Sequence, residues 1–494
     1  MIKKIIYLSV IAFGLSLVTP AYAQEGIREN FILGNKVSPY ARGLDATGKL
    51  LSASVFWKAG YGYENNIYQA PQTYSPGVGL AADFPPSLYM PQSGNPFSNV
   101  FGTELASSMP TDHYFRLMLA GQFNTYKDQE TADMSSFNSY FHHRWDISRE
   151  QRLDLQLQLD RVFGTATYIF GIPMAHNYND FLRMEGFLEY HLQTLNPSFI
   201  GRGITQLMVN MRYLDYDDIK RDISVTNHRG NTLPLATSSI NDTLAANYYQ
   251  YRIRLRHIQG LVKGYTVRVA GDYIKREYLN HWARKVANSE QGVTMGYIPV
   301  DTDGAVIEGH PKRANHELRF YLGLQYDPPH VRNLRFSVGG ENTRWIDDFE
   351  GFYSWNQYAV RLSGHYRPDP LRYIEASLRV SHREYEELLS NYQHFYPNPP
   401  RHIEFDGAPV ESGDLVWHNA PLQTNMFEFS LNGQVPLTRF MALWALYNVD
   451  SRHTSRPLNQ YFSREYFSQS ISGGVTVFLE LLGNSDRVIT KKRD

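Results

Sequence analysis

In the stretch 152–164 apolar and polar side chains alternate strictly from Leu153 to Asp160. Leu153, Leu155, Leu157 and Leu159 take one parity; Asp154, Gln156, Gln158 and Asp160 take the other. Successive side chains of an extended strand point to opposite faces, so this segment is greasy on one side and polar on the other. The same pattern recurs along most of the chain. Its apolar parity is carried by Phe115, Leu117, Leu119 and Phe123, and by Leu182, Met184, Leu188, Tyr190 and Leu192. Leu207, Val209, Met211 and Tyr213 follow, then Tyr249, Tyr251, Ile253 and Leu255, then Tyr265, Val267, Val269 and Tyr273. Later come Leu318, Phe320, Leu322, Leu324 and Tyr326, then Leu334, Phe336 and Val338, then Tyr358, Val360, Leu362 and Tyr366. Ile374, Ala376, Leu378 and Val380 precede Phe427, Phe429 and Leu431, a less regular strand around Trp444, and Ile471, Val475, Val477 and Leu479.

Short turn signals join these strands in pairs: Ser148-Arg149-Glu150, Gln259-Gly260, Asp327-Pro328-Pro329, Arg367-Pro368-Asp369-Pro370 and Val435-Pro436-Leu437. Long polar segments lie between the pairs, at 217–245, 278–314 and 386–423. Alternating short and long connections predict an all-β fold, a closed antiparallel transmembrane barrel with short periplasmic turns and long extracellular loops. If the strand near 467–479 descends to the periplasm, every short turn falls on that side. The parity closes with 51–65 and the weak segment 76–84 as the first two strands, giving about sixteen in all. Segment 85–110 then reads as a long periplasmic turn or an inward-folded loop.

The chain ends add an export route. Lys3 and Lys4 precede an apolar stretch at 5–18 and the small-residue pattern Ala21-Tyr22-Ala23, which together read as a signal peptide over 1–23, cleaved after Ala23. Residues 24–50 are expected as an N-terminal periplasmic segment, 51–479 as the barrel, and 480–494 as a C-terminal periplasmic tail ending in Lys491-Lys492-Arg493. No later stretch reaches the roughly 18 apolar residues of a spanning helix. With no cysteine among 494 residues, disulfides and thiolate metal sites are excluded. Only 42% of residues are hydrophobic, yet aromatics reach 14%, led by 35 Tyr and 27 Phe. That balance suits a barrel, in which only alternate residues meet lipid and aromatic rings gather at its two interfaces. Tyr249, Tyr251, Tyr273 and Tyr326 are expected in that belt. A net charge of −1 gives no general attraction to nucleic acid.

The opposite parity should line the lumen, and its chemistry is uneven. Arg252, Arg254, Arg256, Arg268, Arg276, Arg319, Arg335, Arg361 and Arg379 would form a basic wall, with Glu317, Glu341 and Glu375 interleaved. Asp154, Asp160, Glu185 and Glu189 would form a more acidic wall, with Arg183 and Arg212 as exceptions. Opposed walls set up a transverse field in a water-filled pore. The alternative is a packed interior of ion pairs. Tyrosines of this parity would offer faces for stacking on sugars.

Enzyme signatures are sparse. There is no HExxH, P-loop or Gly-x-Ser-x-Gly elbow, and the glycines in Gly77-Val78-Gly79-Leu80-Ala81-Ala82 lack the strand–turn–helix context of a dinucleotide site. Asp112-His113 resembles the acid–imidazole pair of outer-membrane proteases but falls at the periplasmic end of its strand. His142 and His143 alternate across a strand, so only one can face a given site. Asp215, Asp217 and Asp218 open a long loop, with calcium or lipopolysaccharide-bridging cations as conceivable ligands. No catalytic residue, metal or cofactor is assigned.

Tyr61-Gly62-Tyr63-Glu64-Asn65-Asn66-Ile67-Tyr68, then Tyr74-Ser75-Pro76-Gly77-Val78-Gly79-Leu80, together with the strand at 152–161, resemble the β-barrel porins of exopolysaccharide clusters. That resemblance implies a non-enzymatic barrel for secretion or uptake across an outer membrane. Met211-Arg212-Tyr213-Leu214-Asp215-Tyr216-Asp217-Asp218 is similar to strands of the barrels that sheathe multihaem cytochromes. Gly474, Val477 and Leu479 resemble the C-terminal signal read by the barrel assembly machinery. The expectation is a porin-like channel of the cell outer membrane for polar or anionic solutes or saccharides. The alternatives are a cytochrome sheath in an electron conduit and, third, a barrel enzyme. Expected partners are outer-membrane lipid, lipopolysaccharide, the assembly machinery, the solute, and a periplasmic protein or multihaem cytochrome.

Overall fold

Sixteen antiparallel strands close into one barrel in the computed structural model. In chain order they are β1 (Ser52–Glu64), β2 (Pro96–Met109), β3 (His113–Tyr126), β4 (Met134–Asp146), β5 (Gln151–Phe163), β6 (Phe181–Thr194), β7 (Gly203–Tyr216) and β8 (Tyr248–Gly260). The second half comprises β9 (Tyr265–Trp282), β10 (Lys312–Tyr326), β11 (Leu334–Asp347), β12 (Trp355–Asp369), β13 (Arg372–Leu389), β14 (Pro421–Pro436), β15 (Met441–Thr454) and β16 (Tyr466–Leu482). The described residues are these strands, the residues immediately beside them, most of the short turns at 147–150, 261–264, 327–333 and 437–440, and small hairpin pieces between 168 and 236 and between 392 and 418. Residues 1–23, read as a signal peptide, residues 24–50, residues 483–494, read as part of a tail, and the Gly77–Ala82 glycines lie outside them.

Each strand pairs with its neighbour in sequence, and β1 closes the ring against β16, with Ala53 opposite Leu482 and Glu64 opposite Ser470. Closure leaves no unpaired sheet edge, which an aqueous or a lipid environment would each penalise. The connections obey the expected alternation. Strand ends separated by two to eight residues, as Asp146 and Gln151, Gly260 and Tyr265, Tyr326 and Leu334, and Pro436 and Met441, lie at one end of the barrel; those separated by about thirty, as Tyr216 and Tyr248, and Leu389 and Pro421, lie at the other.

Two boundaries and one side-chain direction differ from the sequence reading. The second strand is 96–109, inside the stretch read as a turn or inward loop, and segment 76–84 lies outside the described residues. Phe97, Phe101 and Leu105 face outward but recur every fourth residue, with Asn99 and Thr103 between them on the same face, so the alternation is erased. Those polar groups are satisfied locally: Trp57 Nε1 donates to Asn99 Oδ1 at 3.3 Å, and Thr103 Oγ1 to the Ser54 carbonyl at 3.2 Å. Pairing also continues past 479 to Leu482, so the tail is shorter than expected. Finally, Trp444 points inward. It is buried, lies over Gly60, where a side chain would collide with its ring, and carries the Lys58 ammonium 4.1 Å above its centroid.

Candidate functional site

The outer surface sets the frame for the interior. Leu318, Phe320, Leu322 and Leu324 on β10 are exposed, as are Tyr358, Val360, Leu362 and Tyr366 on β12, although their strands are fully paired. On each of these strands the apolar run spans nine residues, 318–326 and 358–366. A tilted strand needs about 9–11 residues to cross a bilayer's hydrocarbon layer. Stacked aromatic pairs mark both rims. Tyr213 and Tyr249 meet at 4.9 Å near the loop end, and Tyr265 and Tyr326 at 4.6 Å at the short-turn end. Beyond the upper rim the outward positions turn polar, with Lys275 paired to Glu277 and Arg344 to Glu386. Among the described residues no helix is long and apolar enough to cross a membrane; the strands supply the apolar span.

Inside, β4–β7 hold the residues read as an acidic wall, and each carboxylate there is met by a cation. Asp160 accepts from Arg183 Nε at 2.7 Å, and Glu185 from Arg212 Nη2 at 2.8 Å. Asp154, buried, is a node: His142 Nε2 lies 2.8 Å away, His191 Nε2 2.9 Å and Arg152 Nε 2.7 Å. Glu189 reaches Arg256 at 3.6 Å. Arg144, paired to Asp146 at 2.7 Å, also faces inward. Buried charges require such partners. This wall is close to neutral rather than acidic, which removes one pole of the expected transverse field.

The β8–β13 side is different. Arg252, Arg254, Arg256, Arg268, Arg276, Arg319, Arg335, Arg361, Arg379 and Arg383 all project inward by register parity. The carboxylates of the same parity are Asp272, Glu317, Glu341, Asp347 and Glu375, half as many. Asp272 takes both Arg252 (3.0 Å) and Arg254 (2.7 Å), Glu317 takes Arg319, and Glu341 takes Arg361 (3.0 Å) and Arg379 (3.5 Å). Three guanidinium groups donate to neutral amides: Arg268 to Gln325, Arg276 to Gln250 and Arg383 to Gln357. An excess of positive charge therefore stays on these six strands.

Accessibility changes along the barrel axis. Toward the loops the interior is tightly filled. Trp345 and Trp355 stack at 6.2 Å, with Arg276 over the first ring at 5.8 Å and Arg383 over the second at 4.1 Å. Toward the short turns the same wall opens. The Arg252 side chain is 6% exposed, Arg361 37% and Arg335, beside Asp327 at the rim, 51%. The inward-facing Ser363 and Ser377 are exposed.

Two registers of this wall run without interruption across neighbouring strands. One contains Thr266, Gln325, Ser337, Ser363, Ser377, Ser430, Asn448 and Ser470, each directly opposite the next: a band of hydroxyls and amides over half the barrel. The register above it, toward the loops, reads Arg268, Gly323, Gly339, Arg361, Arg379, Glu428 and Asp450. Sequence reasoning located these arginines but missed Asp272, Glu428, Arg383 and the imidazoles on Asp154. Their parity was available; which carboxylate meets which cation depends on cross-strand register, which no single segment encodes.

The remaining candidates separate. His142 faces Asp154 inside, whereas His143 faces outward and meets His113 at 3.0 Å in a stack with Phe115 and Trp145. His113 lies at the short-turn end; Asp112, Asp217 and Asp218 are outside the described residues. Asp215 accepts from Asn247 Nδ2 at 2.7 Å. Among the described residues no group of three or more His, Asp or Glu is arranged to hold a metal.

No protein-family model matches the chain, and no curated protein is recognisably similar in sequence. Solved structures with which it aligns over most of its length include OpdQ of Pseudomonas aeruginosa (9% identity, 88% of this chain, 100% of that chain, TM-score 0.38). An anion-selective porin of Comamonas acidovorans aligns at 7% identity, 87% and 99% coverage and TM-score 0.34. A bacterial polysaccharide outer membrane secretin aligns at 8%, 88% and 99%, and 0.36. The architecture rests on strand pairing and belt geometry rather than on these likenesses. The chain is a closed sixteen-stranded β-barrel, porin-like in build, greasy outside and net basic on the β8–β13 stretch of its inner wall.

Proposed function

We propose that the protein is a passive channel of the Gram-negative outer membrane that admits polar solutes and favours anionic ones, saccharides included. The observation that carries this reading is the β8–β13 wall, with ten inward arginines against five carboxylates and exposed polar side chains toward the short turns. Barrels of this strand number leave an aqueous lumen between walls of side chains. A cationic wall beside water raises the local concentration of anions and lowers that of cations. Export by the signal peptide at 1–23, insertion by the assembly machinery and contact with lipopolysaccharide belong to the same proposal. The long loops would then face the exterior, and the short turns the periplasm.

Ion selectivity in planar bilayers tests it. Under a salt gradient the reversal potential should show chloride preferred over potassium. Arg361→Ala, and Arg335→Ala to a smaller degree because of its exposed pairing with Asp327, should move that potential toward zero. Absence of conductance, or a cation preference, would overturn the proposal. Haem protein co-purifying with the barrel would favour the electron-conduit alternative instead.

A further inference from the structure

Tyr321, on β10, occupies an unusual place on the basic wall. Gly323 and Gly339 lie directly opposite one another across β10 and β11, both facing inward. A side chain at either would collide with the Tyr321 ring. From Gly323 the added carbon would lie 2.9 Å from Cε1 and 2.8 Å from Cζ; from Gly339, 2.7 Å from Cε2 and 2.8 Å from Cζ. The two glycines thus flank one ring, with its hydroxyl between them. Directly opposite β-carbons are about 4.5–5.5 Å apart, so these distances put one glycine toward each face and the ring slants across the wall over both. Tyr321 is half-buried, so part of the ring stays open to the lumen. The paired glycines are what make room for it.

Charge and hydroxyls surround this ring. Arg268 is paired across from Gly323 and Arg361 across from Gly339, with Arg379 one strand further. The Nε–H groups of Arg268, Arg361 and Arg379 are buried with no acceptor among the described residues, so a solute would meet the outer ends of these guanidinium groups. Arg268 is within electrostatic reach of both Arg335 and Tyr321. On the short-turn side lies the hydroxyl band, where Ser337 and Ser363 Oγ atoms are 2.6 Å apart and Ser377 is exposed.

We propose that Tyr321, with Arg268 and Arg361, forms a binding subsite for a carboxylated sugar ring, a hexuronate unit, inside the channel. This rests on the channel reading above, whose solute class it narrows. The sugar's C–H face packs on the part of the phenol open to the lumen, whose π-cloud is negative. Its carboxylate meets a guanidinium fork, the geometry suited to planar oxyanions. Its hydroxyls exchange hydrogen bonds with Ser337, Ser363 and the oxygens of Glu341. A bare anion would use the arginines without the ring; a neutral sugar would use the ring without the arginines. A planar aromatic acid would use both but leave the hydroxyl band unsatisfied.

The test is titration calorimetry of the detergent-solubilised full chain with glucuronate, glucose, acetate and benzoate, alongside current block by the same solutes in bilayers. Glucuronate is expected to bind and block, with the other three at least tenfold weaker. Tyr321→Phe should keep that affinity; Tyr321→Leu should weaken it roughly three- to tenfold, the scale of one aromatic contact. Acetate or benzoate binding as tightly as glucuronate would overturn the subsite, as would Tyr321→Leu binding like the unaltered protein. Calorimetry reads binding whether or not the barrel conducts, so a silent bilayer with measured binding refutes the channel alone. Retention of the compact, heat-sensitive band in gel electrophoresis identifies variants that fold.

Discussion

At the scale of single residues, what distinguishes the interior is how its charges are met. Asp154 is buried and contacted by two imidazoles and a guanidinium, while Asp327 at the rim shares Arg335 with water. Removing one partner of a buried ionic cluster strands the others in low dielectric, whereas an exposed pair contributes little. Asp154→Asn should therefore lower the barrel's unfolding free energy by about 3 kcal/mol in urea titrations in lipid vesicles. Asp327→Asn should cost less than about 1 kcal/mol. Equal effects at the two positions would contradict this division between a sealed β4–β7 wall and a wet rim. The Asp154 cluster was only half legible in the sequence. The parity of Asp154 and His142 places both on one face, but that of His191 becomes meaningful only once β6 is set against β5, with Arg152 opposite His191.

At the scale of elements, the strands with unbroken alternation were legible because one physical demand, lipid on one side and water on the other, acts on every residue of the span. β5 satisfies it from Leu153 to Asp160 and β10 from Leu318 to Tyr326. β2 does not, because hydrogen bonds to Trp57 and to the Ser54 carbonyl let Asn99 and Thr103 face outward, and its strand character is carried by pairing instead. Trp444 shows the reverse case, an aromatic residue drawn inward by the space over Gly60. The turns and their alternation followed from Pro, Gly and Asp placement, and the strand parity survived the misplaced second strand because one strand replaced another. The belt itself yields an element-level prediction along β10. Leu322→Arg, at mid-belt, should destabilise the barrel by about 2–4 kcal/mol, while His316→Arg, above the belt, should change it by less than about 1 kcal/mol. A flat profile between these two outward positions would show that β10 does not face lipid.

At the scale of the whole molecule, closure converts a two-faced ribbon into two separate environments. Sixteen strands enclose a lumen wide enough for water, and its asymmetry is both circumferential and axial. The β4–β7 wall is neutralised by ion pairs and the β8–β13 wall keeps surplus arginine; the loop end is braced by stacked Trp345 and Trp355, and the short-turn end opens. Transport, selectivity and the Tyr321 subsite all presuppose that neighbouring residues of one strand inhabit opposite media. Leu362 and Ser363 are such neighbours, both exposed, one on each face of β12. Because the natural chain contains no cysteine, each can carry the sole thiol of the molecule. In reconstituted bilayers a membrane-impermeant thiosulfonate should modify Ser363→Cys and step the conductance down, and leave Leu362→Cys unmodified. Reaction at 362 with protection at 363, or equal reaction at both, would contradict a barrel that is greasy outside and wet within.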